Sequence, residues 1–191
     1  MYRITAIELK MFRQPNRFYS FYLQLPHRTL ATMATSTLPA GFLESPAADI
    51  QKSVIDFSKE GLPVYDGHWA VILDGVLTPE ECATLLSFAE STTGGEWERA
   101  MVNIGGGKQA MYEDIRKCGR IIHDNRELAE KILKRVESSI PDIHQLTDWA
   151  MVTGNGPCKR KETWKMTRLN ERMRFLKYVG GEYFNGQYHQ G

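Results

Sequence analysis

The spacing of apolar and polar positions changes character several times along the chain, and each change marks an element. Trp69-Ala-Val-Ile-Leu-Asp74 is a compact, partly β-branched apolar run between Gly67 and Gly75, which predicts a buried strand. Directly after it, Leu77-Thr78-Pro79-Glu80-Glu81-Cys82 carries a helix start. Thr78 suits the N-cap, Pro79 the first helical position, and Glu81 stands three residues after the cap, where it completes a capping box. Cys82, Leu85, Leu86 and Ala89 then share one face, so this helix is expected to pack on the strand and to end between Ser91 and Gly95. Asp124 or Asn125 caps a further helix with Ala129, Ile132, Leu133 and Val136 as its stripe, Glu127 and Lys131 as an i,i+4 pair, and Pro141 beyond its end. Ile50, Val54 and Phe57 fit a short helix before Gly61 and Pro63, and Trp97 to Ile104 is compatible with a strand.

From Thr167 to Tyr178 the period becomes two. Arg168, Asn170, Arg172, Arg174, Leu176 and Tyr178 fall on one face of the predicted strand, and Leu169, Met173 and Phe175 on the other. In a half-exposed sheet the polar face meets water. In a sheet curled into a barrel or jelly roll it lines a ligand cavity, with Tyr178 nearest the mouth.

With 191 residues, 42% hydrophobic and 25% charged, the chain has room for one globular domain with a core. A net charge of +1 gives no sign of the basic stripe that holds nucleic acid, so none is expected as a partner. No apolar run approaches the ~20 residues of a membrane-spanning helix. Cys82, Cys118 and Cys158 stand far apart, which fits reduced thiols better than a zinc ribbon or a disulfide scaffold. Residues 1–32 are basic and acid-poor, either a transit-like segment or an extension upstream of Met33; residues 34–48 turn to Thr, Ser, Pro, Ala and Gly. We therefore expect an extension and linker over 1–48 and the folded domain over 49–191. The compartment stays open between cytoplasm and mitochondrion. Gly105-Gly106-Gly107-Lys108 lacks the earlier glycine and the following Ser or Thr of a phosphate loop, since Gln109 stands there, so a mobile loop at a pocket mouth is the expectation. Thr153 to Thr163, with Lys159-Arg160-Lys161, reads as a solvated basic loop.

Leu73 to Cys82, followed by Arg168-Leu169-Asn170-Glu171-Arg172-Met173-Arg174-Phe175-Leu176-Lys177-Tyr178 and Gly181-Glu182-Tyr183-Phe184, resembles the prolyl 4-hydroxylase-like family of Fe(II)- and 2-oxoglutarate-dependent oxygenases. The likeness spans Trp69 to about Tyr188, and the Asn-Glu-Arg to Tyr-Phe block is its specific part. It implies an α+β fold, a partial double-stranded β-helix or jelly roll with helices packed on one sheet. It also implies Fe(II) and 2-oxoglutarate as cofactors, with ascorbate as a family-level addition, and a peptide or small molecule as substrate. Tyr178 matches the family tyrosine that projects into the co-substrate pocket, with a hydrogen bond to 2-oxoglutarate or to iron-bound water as its implied role.

In that family a His-x-Asp pair follows the Tyr-Phe turn, and with a later histidine it forms the facial triad on iron. Here Asn185-Gly186-Gln187-Tyr188-His189-Gln190-Gly191 follows instead. By count, Gln187 takes the place of the histidine and His189 that of the aspartate; alternatively, a few residues carrying the pair have been lost. His189 with Glu182 makes an imaginable two-ligand site, whereas His68, His123 and His144 read as surface or packing residues. The expectation is oxygenase ancestry without turnover, in an inactive or truncated form that does not hold the cofactors. A strand over Thr167 to Tyr178 without later partners would leave an open edge. The alternative function is thus a non-catalytic module that pairs with another protein, or with itself, through that edge.

Overall fold

The computed structural model describes residues 3–11, 19–23, 37–47 and 49–185. Its strands are β1 Arg3–Met11, β2 Tyr19–Leu23, β3 Gln51–Val54, β4 Val71–Asp74, β5 Glu98–Arg99, β6 Val102–Gly105, β7 Lys108–Ala110, β8 Arg116–Lys117, β9 Gly119–Asp124, β10 Gln145–Thr147, β11 Thr163–Lys165, β12 Arg172–Tyr178 and β13 Tyr183–Phe184. The α-helices are α1 Pro79–Ser91, α2 Arg126–Val136, α3 Ala150–Thr153 and α4 Asn155–Lys159.

Both long helices begin where their caps stand in the sequence. Thr78 Oγ1 accepts from the Glu81 N–H and Glu81 Oε2 accepts from the Thr78 N–H, closing the capping box of α1. Asn125 Oδ1 accepts from the Leu128 N–H at the start of α2, and Lys131 meets Glu127 at 2.9 Å one turn away. The two helices are tied together by charge: Arg135 of α2 grips both carboxylate oxygens of Glu81 at 2.7 and 2.8 Å and also donates to the Val76 carbonyl.

The principal sheet is antiparallel, with five strands in the order β2-β1-β12-β9-β5. One face carries Met173, Phe175 and Ile121, all buried, against Leu85, Phe88 and Ala89 of α1 and Leu128, Ala129 and Ile132 of α2. The remaining strands form two-stranded pairs, β3-β4, β6-β7, β8-β13 and β10-β11. The fold is mixed α and β, built on small antiparallel sheets, and the described residues form no closed barrel.

Several expectations change. Ile50 to Phe57 is not helical, because Gln51–Val54 pairs with Val71–Asp74 and takes its conformation from that partner. The resulting β3-β4 pair is only half covered, so β4 is not a buried strand: Ile72 is 50% exposed. Trp97 to Ile104 is interrupted at Ala100 and Met101 and contributes to two different sheets. The three glycines cap the β6-β7 hairpin, all with positive φ (89°, 56° and 74°), which non-glycine residues rarely adopt. The basic loop follows a short helix, α3, and contains another, α4.

The extension and linker are also part of the architecture. β1 and β2 extend the principal sheet, and Phe42 and Leu43, from the linker, are buried in the main core. The edge of β12 is accordingly closed on both sides, by β1 and by β9. The strand also starts later than expected, at Arg172, where the Asn170 side chain accepts the Arg172 N–H and turns the chain into the sheet.

Candidate functional site

Register fixes which side chains share the face of the sheet opposite the helices. Arg172, Arg174 and Leu176 of β12 stand opposite Asp124, Ile122 and Arg120 of β9, and Tyr178 follows on the same side. The intervening residues belong to the helix side: His123 meets the Phe88 ring edge-on, with centroids 5.0 Å apart. Lys177 lies over the Trp97 ring and within 3.6 Å of Glu90.

The side away from the helices is charged yet partly covered. The Arg120 side chain is only 4% exposed and reaches Glu98 of the adjacent β5 at 2.9 Å. Gln109, from the β6-β7 hairpin, accepts a further bond from Arg120 Nη1, so the hairpin overhangs this face. Arg116, also buried, directs Nε to the Cys118 sulfur at 3.4 Å and lies over the Phe184 ring. Tyr178 is half-buried and packs on the small cluster of Ala100, Cys118 and Leu176. The alternation of β12 thus has a matching one across β8 and β9. Arg116, Cys118, Arg120, Ile122 and Asp124 alternate with Lys117, Gly119, Ile121 and His123, a period-two signal that the sequence reading passed over.

Past Tyr178 the chain is clamped. Glu182 accepts the Val179 N–H at 2.9 Å through one carboxylate oxygen and pairs with Arg99 through the other. Burial pushes the Glu182 carboxyl up, but the Val179 N–H and the Arg99 guanidinium outweigh it, so its pKa lies below the ordinary value. β13 then pairs with β8, and Asn185 is fixed by its N–H to the Ile115 carbonyl and by its side-chain amide to the Asp114 carbonyl.

Among the described residues no three His, Cys, Asp or Glu side chains stand close enough to hold a metal ion. Those residues do not fit an iron site. Glu182 is committed to Arg99 and Val179, and Gln187 and His189 lie outside the described residues. His68 and His144 bond backbone carbonyls, of Tyr65 and Glu137, through a ring nitrogen.

No protein-family model matches the chain, and no curated protein or solved structure is detectably similar to it. The described residues contain no helix long and apolar enough to cross a membrane.

Proposed function

We propose that the chain supplies the co-substrate wall of an oxygenase-type domain of the prolyl 4-hydroxylase-like kind, a partial double-stranded β-helix with helices on one outer sheet. The observation that carries the reading is the division of the principal sheet. One face is dry and helix-covered, while the other carries Arg120, Arg174 and Tyr178, with the β6-β7 hairpin reaching Arg120 through Gln109. A sheet that faced only water would have no need of a guanidinium as deeply buried as that of Arg120.

In this reading the chain binds and orients rather than oxidises. Arg174 supplies the positive charge toward a dicarboxylate, Arg120 being already paired with Glu98, and the Tyr178 hydroxyl donates a hydrogen bond to a carboxylate oxygen of 2-oxoglutarate. Iron would supply the oxidising chemistry of such a domain, and the described residues do not furnish its ligands.

The test is a titration of 2-oxoglutarate followed by backbone amide resonances. Arg174, Leu176 and Tyr178 should respond, and Tyr178→Phe should weaken binding roughly tenfold or more, the loss of one hydrogen bond to a charged group. An unchanged affinity in Tyr178→Phe would overturn the assigned role. Succinate release from 2-oxoglutarate with added Fe(II) should stay at background; robust release that vanishes on chelation would show that this chain does hold iron.

A further inference from the structure

One stretch of open edge in the principal sheet belongs to β9, and none to β12. β9 pairs with β12 along its whole length but with β5 only at Gly119 and Arg120. Beyond Arg120 the direction of its backbone groups can be deduced from the neighbouring bonds. The Asn125 N–H donates to the Glu171 carbonyl, on the β12 side, whereas the Cys118 carbonyl accepts from Ala100, on the other side. Alternation then turns the N–H and C=O of Ile122 and Asp124 away from β12. No other strand among the described residues meets them.

These groups face a groove of about 550 Å³, walled on one side by Ile121 to Asp124 and on the other by Thr93, Glu96 and Trp97. Its volume lies within the range of pockets that hold small ligands or a few residues of peptide. The charges at its mouth are uneven. Glu96, Glu98 and Asp124 are exposed, whereas the Arg120 side chain is buried against Glu98 and only Arg172, 3.9 Å from Asp124, is an exposed cation.

We infer that the β9 edge is a docking site for an extended, lysine- or arginine-bearing peptide segment, which adds as a further antiparallel or parallel strand beside Ile121 to Asp124. The Ile122 N–H and C=O supply the main-chain bonds, the Trp97 and Ile122 side chains supply apolar contact, and the acidic rim selects the basic side chains. The groove shares Arg120, Ile122 and Arg172 with the sheet face of the proposed co-substrate wall, but the inference rests on the outward backbone groups of β9 and does not require a co-substrate to bind.

The probe is a fluorescein-labelled, terminally capped peptide alternating lysine and valine, with a glutamate and valine peptide as its opposite, read by anisotropy on the full chain. The basic peptide should bind at least tenfold more tightly than the acidic one and lose affinity with added salt. Ile122→Pro removes the outward N–H while leaving the β12 ladder its donors, and should abolish binding. Glu96→Lys, at an exposed position, should weaken the basic peptide at least fivefold while leaving the thermal unfolding midpoint unchanged. Equal binding of the two peptides, or full binding by both variants, would overturn the inference. So would a concentration-dependent dimer in sedimentation that Ile122→Pro dissociates, since it would assign the edge to a second copy.

Discussion

Replacing Glu81 by alanine acts on two interactions at once, because one carboxylate closes the α1 capping box and holds Arg135. The Thr78 side chain still caps the helix in the variant, so the capping loss sits near the low end of about 0.5–2 kcal/mol. The larger effect is on Arg135. Its side chain is 4% exposed, Nε already finds no hydrogen-bond partner, and without Glu81 only the Val76 carbonyl remains to it. A buried cation stripped of its counter-ion costs about 3–5 kcal/mol, so the urea midpoint should fall by roughly 2 M at the usual slope for a small domain. Glu81→Ala combined with Arg135→Met should recover most of the loss, because the pair is removed together. The Arg135 guanidinium, and then the Thr78 N–H, hold the Glu81 carboxyl below its ordinary pKa against the opposing effect of burial. Its contribution is therefore present above the unfolded carboxylate pKa and is lost as pH falls through the lower folded value. A single-variant cost under about 1 kcal/mol, or a double variant whose losses simply add, would refute this reasoning.

Two other outcomes test the packing. A Cβ on Gly119 would lie 3.1 Å from Trp97 Cβ, an atom anchored to its own backbone, so Gly119→Ala should cost about 1–3 kcal/mol in thermal or urea unfolding while Gly94→Ala, where nothing lies within 4 Å, should not show this clash. Burial, reinforced by Glu81 and Glu80, pushes the Cys82 thiol up to about 11; iodoacetamide at neutral pH should label half-buried Cys158 first and reach Cys82 only when denaturant opens the chain.

What could be read directly from the chain was local. The Thr78 and Asn125 caps act within one helical turn, and both helices begin where those residues stand. The alternation of Arg172 to Tyr178 likewise survives, because each side chain is set by its neighbours two positions away. β9 was missed because Gly119 and Arg120 interrupt its apolar run, and its strand character comes from β12 beside it. Ile50 to Phe57 shows the same dependence in reverse, since three apolar residues at helical spacing yielded to a partner strand. Arg120 entered the candidate site only through Glu98 and Gln109, contacts that no local pattern announces. β1 was hidden for a similar reason, as its partner β12 lies far along the sequence.

That last pairing bears on how the chain is born. Arg3 lies beside Tyr178, so β1 is made long before its partner and must wait for all the intervening residues before β12 exists. At synthesis rates of 5–20 residues per second the wait is roughly 10–35 s. During it β9 and α2 are completed ahead of β12, and the nascent β1 edge is without its main partner. Closing the principal sheet is thus a late event relative to its other pairings, and the interval before it is when holdase chaperones would have most to bind.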